Sequence, residues 1–127
     1  MLRLRPTALA TLAAAAAALG GCQPAAGDPQ VLVPGGDAGR GRVLIARIGC
    51  GGCHAIPGVP GANGRVGPPL DKVGRQAVIA GVLPNIPDDM VRWIRTPQSV
   101  VPGNAMPNME IDDHDARDVA AYLYTLR

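Results

Sequence analysis

The sequence is poor in the large aromatic side chains that fill most protein cores. Its 127 residues include no phenylalanine, one tryptophan and two tyrosines. A small domain of this composition buries little apolar surface, and such domains usually need a further stabilising element such as a cross-link or a bound group. The composition therefore excludes a core built from aromatic side chains and indicates that something else supplies the missing bulk.

An excess of charge of one sign is also lacking. The 12 basic residues face 10 acidic ones, and Lys72 is the sole lysine. No segment forms the basic stripe that follows a nucleic-acid backbone. We therefore expect no nucleic-acid partner.

Cysteine is scarce, and two of the three cysteines lie in one short motif. The run Cys50-Gly51-Gly52-Cys53-His54 has the C-x-x-C-H spacing of a c-type haem attachment site. Two thiols at this spacing reach the two vinyl groups of one haem and form thioethers, and the adjacent histidine supplies an imidazole to the iron. The flat macrocycle would also act as the large apolar element that the core lacks.

Other uses of the same residues are less consistent with the sequence. A structural zinc site needs two ligand pairs, and the remaining candidates, Cys22 and His114, have no paired partners. A thioredoxin-like motif heads a helix, whereas a Gly/Pro-rich loop follows His54. A simple disulfide between Cys50 and Cys53 would leave the histidine unexplained.

The first residues have the pattern of an export signal. A basic start, Met1 to Arg5, precedes an Ala/Leu stretch from Ala8 to Leu19 that is short for a membrane span. It ends in Leu19-Gly20-Gly21-Cys22, which resembles the lipobox of bacterial lipoproteins. We expect residues 1–21 to be a lipoprotein signal peptide and Cys22 to be lipidated. An ordinary signal peptide with an incidental cysteine, or an uncleaved anchor, remains an alternative.

The mature chain is then expected to have two parts. Residues 22–36 are rich in Pro, Ala and Gly and predict a flexible linker, followed by one domain at residues 37–127. Its location would be the periplasmic side of the bacterial envelope, on the inner membrane rather than the outer. Removal of Arg3 and Arg5 with the signal would leave a formal charge of zero.

Helical periodicity dominates the domain and predicts an all-α class. Helices are expected at about 37–48, 87–95 and 113–126, with Asp37 and Asp112 as N-caps and Pro87 at the first helical position. A shorter helical turn is expected around 76–83. No segment shows sustained strand alternation.

The order of these elements resembles a class I cytochrome c with a single haem. It is most similar to the small c-type domains associated with haem-copper oxidases, including those fused to the end of oxidase subunit II, but lacks that subunit's copper-binding and transmembrane parts. The fold implied is three main helices around one covalently bound haem. The motifs that carry the resemblance are Gly49–Gly58, Val66–Leu70, Ala80–Asn85, Trp93–Gln98, Pro102–Pro107 and Asp115–Leu123.

The resemblance also implies the residues of the site. Cys50 and Cys53 would attach haem c, and His54 and Met106 would be the axial iron ligands. The carbonyl of Pro68 would orient the His54 ring. Further haem contacts are expected from Leu70 in the packing and from Arg75 and Trp93 at the propionates.

Two other residues compete for the distal position. Met109 is the reserve for Met106, because both lie in the loop before the last helix. His114 would make a bis-histidine haem of lower potential, but a histidine flanked by aspartates in the first turn of a helix is more often exposed.

The predicted function is electron transfer without catalysis. With both axial positions filled, no small-molecule substrate binds, and the protein would carry single electrons between respiratory membrane complexes, such as a quinol-oxidising complex and a terminal oxidase. A lipid anchor would hold it at the membrane. The alternatives are a fixed electron-transfer subunit of a larger oxidoreductase complex, and a haem sensor or enzyme with an open distal site.

Overall fold

The computed structural model describes residues 32–127. The predicted signal peptide, Cys22 and most of the predicted linker lie outside these residues. The end of the linker differs from the prediction. Val33 is fully buried, and its carbonyl accepts a hydrogen bond from the Gly36 N–H at 2.9 Å. The packed part of the chain therefore begins before Asp37, because the apolar side chain of Val33 is drawn into the core.

Helix α1 spans Ala38–Arg47. Asp37 caps it as predicted, since its carboxylate accepts the Arg40 N–H at 2.8 Å. The helix ends at Ile48 and Gly49, and Gly49 has φ 82°, a left-handed conformation that glycine adopts without strain. This reversal leads directly into the haem-attachment motif.

Two helices follow each other in the second half of the chain. Helix α2 spans Pro87–Arg95. Asp88 and Asp89 lie in its first turn, where acidic side chains interact favourably with the helix dipole. It stops at Thr96, as predicted. The stop is followed by a short helix, α3, at Pro97–Val100, which begins with its proline at the first helical position. The sequence did not indicate α3.

The last helix, α4, spans Asp113–Leu123. Asp112 caps it by accepting the Asp115 N–H at 2.8 Å. The helix ends three residues before the predicted end, but Tyr124 and Leu126 remain buried beyond it.

The prediction of a helical turn around residues 76–83 is wrong. A 3₁₀ turn occupies Val73–Arg75, and a small antiparallel hairpin follows, with β1 at Val78–Ile79 and β2 at Leu83–Pro84. The turn between the strands has positive φ at both Ala80 (53°) and Gly81 (72°), the backbone that tight hairpins need. Two consecutive positive φ values are incompatible with a right-handed helix, so the segment folds back instead.

The C-terminus secures this hairpin to the rest of the domain. The Tyr124 hydroxyl donates to Asn85 Oδ1 at 2.8 Å, and the Gly74 N–H donates to the Leu126 carbonyl at 2.9 Å. Burial raises the pKa of Tyr124 to about 12, so its hydroxyl remains a donor at neutral pH.

The core forms where helices pack on α4. Both α1 and α2 contact α4, and the fold is mainly helical, which confirms the predicted all-α class and three-helix architecture. Within residues 32–127, no helix is long and apolar enough to cross a membrane. The helices leave an apolar cavity open between α4, the 50–54 motif and the loop before α4.

Candidate haem site

A largely apolar cavity of about 400 Å³ lies among the described residues. Small-molecule and cofactor sites typically occupy about 300–1,000 Å³ and are largely apolar. Aspartate, glutamate, lysine and arginine are all absent from its walls. Aliphatic side chains from α1, α2, α4, the hairpin and the connecting loops dominate the walls, among them Ile45, Ile48, Leu70, Ile79, Ile94 and Leu123.

The two cysteines of the motif lie in the wall of this cavity. Cys50 begins a 3₁₀ turn at Cys50–Gly52, and the His54 N–H donates to the Cys50 carbonyl at 3.0 Å. Both thiols are free, with Cys50 half-buried and Cys53 exposed. Burial raises the pKa of the Cys50 thiol. One compact turn thus presents both sulfur atoms and the following imidazole to the same space.

The ring of His54 is oriented by a backbone carbonyl. His54 Nδ1 lies 2.8 Å from the Pro68 oxygen. A carbonyl only accepts, so Nδ1 carries the proton and Nε2 keeps its lone pair for a metal ion. Gly67 makes this arrangement possible, because a Cβ at that position would collide with Cε1 of the His54 ring.

Two methionines of the loop between α3 and α4, residues 101–112 and hereafter the distal loop, also line the cavity. Met106 and Met109 are both half-buried there. The Met106 N–H donates to Asn104 Oδ1 at 2.7 Å, and its carbonyl accepts from Gln98 Nε2 at 2.7 Å. The Met109 N–H donates to the Arg95 carbonyl at 3.2 Å. Met90 contributes to the same wall but is buried in the core.

The remaining predicted contacts divide into two groups. Pro68, Leu70 and Trp93 line the cavity. Arg75 is exposed and is not among the lining residues, whereas its neighbour Gln76 is. Among the described residues that line the cavity, the side chains that could donate hydrogen bonds to haem propionates are therefore neutral, such as those of Trp93 and Gln76.

His114 lies outside the cavity. Its side chain is 63% exposed, and its ring nitrogens lie near Arg40, Asp115 and Asp118. His114 lies in the first turn of α4, and its ring lies beside the contact between α1 and α4. The arrangement favours the exposed role predicted for His114 over the bis-histidine alternative.

Sequence reasoning missed the amides that hold the distal loop. Gln98 and Asn104 together bond the backbone of residues 103–106. Their only signal in the sequence was a glutamine and an asparagine beside the Met-Pro pair, which does not by itself indicate a bonding pattern.

The residues present fit a covalently bound haem. The cavity is uncharged and apolar, two free thiols lie in its wall, and the one imidazole there has a free Nε2. Gly67 packs against that imidazole, and a side chain in place of this glycine would collide with the His54 ring.

The sequence pattern of the family described as cytochrome c matches residues 38–127. The chain belongs to the cytochrome c family. A cytochrome c domain implies a covalently attached haem c and a role in electron transfer.

Two curated relatives are both described as cytochrome c oxidase subunit 2. The protein from Alkalihalophilus pseudofirmus is 37% identical over 91 residues, which cover 71% of this chain and 26% of the relative. The protein from Bacillus sp. (strain PS3) is 39% identical over 59 residues, covering 45% of this chain and 17% of the relative. The aligned part of this cytochrome c chain thus spans about a quarter or less of these relatives.

Proposed function

We propose that this chain carries single electrons between respiratory membrane complexes, using one haem c with His54 and Met106 as axial ligands. The observation that carries the proposal is the shared cavity, in which His54 and Met106 line walls without a charged side chain. When bound, haem c supplies an iron that gains and loses one electron.

The chain's own residues would prepare the site for that exchange. Cys50 and Cys53 would hold the haem through thioethers, and Pro68 fixes the tautomer of His54 so that Nε2 keeps the lone pair that would bind the iron. The apolar walls offer water few hydrogen-bond partners, which would keep the surroundings of the iron similar in both oxidation states. A methionine opposite a histidine favours a high reduction potential.

A membrane assay tests the carrier role. The purified holoprotein is reduced and mixed with membranes that contain a terminal oxidase, and haem oxidation is followed optically. The proposal expects rapid oxidation that an oxidase inhibitor blocks, and fast re-reduction by quinol-oxidising membranes. Oxidation that proceeds at the same slow rate with and without membranes would contradict it.

A fixed subunit of a larger oxidoreductase complex is the second candidate. It is favoured by the relatives, whose names describe oxidase subunits of which a domain like this is one part. Affinity purification from gently solubilised membranes separates the two. Recovery at fixed stoichiometry with oxidase subunits supports the subunit role, whereas recovery alone, with retained membrane oxidation, supports the carrier.

A haem sensor or enzyme would need an open distal position. Two methionines in the cavity wall argue against it, because either could occupy that position. Carbon monoxide added to the reduced holoprotein at neutral pH is the discriminating probe. A prompt spectral change would support an open site, and no change would support two protein ligands.

We also propose that Cys22 anchors the domain to the inner membrane, on its periplasmic side. The support is the lipobox-like sequence at Leu19–Cys22. A tether of this kind would raise the domain's effective concentration near membrane partners. In growing cells, the wild-type protein should incorporate radiolabelled palmitate and Cys22→Ser should not, because the variant lacks the thiol that the lipid would occupy. A wild-type protein that takes up no label, or equal labelling of the two proteins, would contradict lipidation.

A further inference from the structure

Gln98 holds the distal loop from a position outside the cavity. It lies in the first turn of α3, and its Nε2 donates to two carbonyls, those of Asn104 (2.9 Å) and Met106 (2.7 Å). Its Oε1 accepts the Gly103 N–H at 3.0 Å. One side-chain amide therefore uses both donor hydrogens and its oxygen on a single four-residue stretch of loop.

Asn104 completes the arrangement from within the loop. Its Nδ2 donates to the carbonyls of Pro97 (3.1 Å) and Val101 (2.6 Å), and its Oδ1 accepts the Met106 N–H at 2.7 Å. Among the described residues, the N–H and carbonyl of Met106 have only these two side-chain amides as hydrogen-bond partners. Regular secondary structure does not hold this residue in place.

The consequence concerns the strength of the distal ligand. A thioether is a neutral and weak ligand, so how readily it leaves the iron depends on how firmly its backbone is held in the bound position. Gln98 fixes the Met106 carbonyl and, just before it in the chain, the Gly103 N–H and the Asn104 carbonyl.

We propose that Gln98 is a positioning residue that keeps the Met106 thioether in the cavity and sets how readily an external ligand displaces it. This inference rests on the proposed role of Met106 as axial ligand. Gln98 is not among the residues that line the cavity, so it acts through Met106 and not on the haem itself.

The amide is required for a chemical reason. A glutamate at this position has nearly the same shape but no donor hydrogens when ionised, so it would place negative oxygens against the two carbonyls that Nε2 now serves. Alanine removes all three hydrogen bonds without adding a repulsion. Both substitutions should therefore weaken the methionine ligand, and Gln98→Glu should weaken it more than Gln98→Ala.

Imidazole titration of the ferric holoprotein is the test, with the near-infrared band of the methionine-ligated state recorded in parallel. Relative to wild type, Gln98→Ala should raise the association constant for imidazole roughly tenfold, the scale of one to two lost net hydrogen bonds. Gln98→Glu should raise it further. Ser99→Ala is the matched control, because its hydroxyl lies in the same short helix but bonds only to Thr96.

Two results of the imidazole titration would overturn the positioning role of Gln98. If Gln98→Ala binds imidazole as wild type does, or if Ser99→Ala shifts affinity equally, the positioning role is wrong. If Gln98→Glu does not accumulate as holoprotein, Gln98→Ala alone carries the comparison. Met106→Ala separates the two proposals: if that variant keeps the near-infrared band, the ligand assignment itself fails, and if it loses the band while both Gln98 variants behave as wild type, only this inference fails.

Discussion

Two glycines separate the cysteines of the haem-attachment motif, and their surroundings differ. A Cβ on Gly51 would lie 2.7 Å from both the Cα and the Cβ of Ala62, whereas a Cβ on Gly52 would meet nothing within 4 Å. The loop that follows the motif packs back on it, and the Gly64 N–H donates to the Gly51 carbonyl at 3.0 Å. Only the first glycine is therefore required by packing.

These two positions form a matched pair of substitutions. Gly51→Ala should lower the free energy of unfolding of the holoprotein by about 1–3 kcal/mol, because the loop must move to admit a methyl group. Gly52→Ala should change it by less than about 0.5 kcal/mol. Denaturant titration followed by haem absorbance measures both. Equal effects at the two positions would contradict the packing described.

The sequence located part of the site at the level of residues and missed another part, for physical reasons. The C-x-x-C-H motif follows from chemistry tied to a short spacing, whereas Pro68 and Met106 were implied by the resemblance to class I cytochromes c. The structure brings these residues to one cavity. Gln76 and Gln98 could not be assigned, because their roles depend on how a hairpin and a loop fold back. Which of Arg75 and Gln76 faces the cavity depends on a 3₁₀ turn that periodicity does not reveal.

At the scale of elements, the crossing of α1 and α4 holds the domain together. A Cβ on Gly41 would overlap the backbone carbonyl of Asp118, so the two helices approach as closely as their main chains allow. Beside this contact, the Asp118 carboxylate is 1% exposed and accepts the Asp37 N–H at 2.7 Å. It also accepts both Nε and Nη2 of Arg40, at 2.7 and 2.9 Å.

The sequence indicated both helices but not the register of their contact. Only the structure shows that Gly41 of α1 lies at the contact with α4. The hairpin at residues 78–84 is the clearest failure, because positive φ at an alanine leaves no mark in helical periodicity.

The two glycines of α1 make the crossing testable. Gly41→Ala should cost about 1–3 kcal/mol of unfolding free energy, because backbone on α4 cannot yield to the new methyl group. Gly39→Ala should stay within about 1 kcal/mol of wild type, because the added helix propensity offsets a tight contact with the Asp37 side chain, 3.2 Å away. Thermal unfolding of the holoproteins compares them, and a larger loss for Gly39→Ala would place the crossing elsewhere.

Asp118 should make part of the stability depend on pH. Burial acts to raise its pKa, but the hydrogen bond from Arg40, the Asp37 N–H and the charges of Arg40 and His114 outweigh it and lower the pKa below its usual value. A depressed carboxyl pKa stabilises the fold above the unfolded value of about 3.9, and that stabilisation is lost as pH falls through the folded pKa.

Asp118→Asn tests this contribution. The variant should lose about 1–3 kcal/mol at pH 7 and show a shallower decline of unfolding free energy below pH 4 than wild type does. The measurement is urea unfolding at a series of pH values. Parallel curves for the two proteins, with an unchanged difference at low pH, would show that Asp118 is not the titrating group.

At the scale of the whole molecule, a nearly neutral charge hides an uneven distribution. Residues 42–75, which include the haem-attachment motif, contain five basic side chains and one acidic one, Asp71. Residues 76–127 contain four basic and seven acidic side chains. The exposed edge of the cavity belongs partly to the first segment, since Val66 lines it and is 71% exposed. The basic residues of this segment are Arg42, Arg47, Arg65, Lys72 and Arg75.

This uneven distribution predicts that basic side chains near the cavity edge attract anionic reaction partners, although the net charge is nearly neutral. Arg65 precedes Val66 at the cavity edge, whereas Arg92 lines a separate groove between α2 and α4. At low salt, Arg65→Gln should slow oxidation of the reduced protein by ferricyanide about fourfold, the effect of one charge on a trivalent anion near 10 Å at an ionic strength of about 0.01 M. Arg92→Gln should have less effect. Stopped-flow rates at low and high ionic strength measure this, and equal slowing by the two variants would contradict local steering.

We propose that side chains of this chain, those of His54 and Met106, would occupy both axial positions of the haem. The most direct measurement is the near-infrared absorption of the ferric holoprotein in wild type, Met106→Ala and Met109→Ala. We expect the weak band of a methionine–iron(III) bond in wild type and in Met109→Ala, and its loss in Met106→Ala. A band that survives in Met106→Ala, or is absent from wild type, would contradict it.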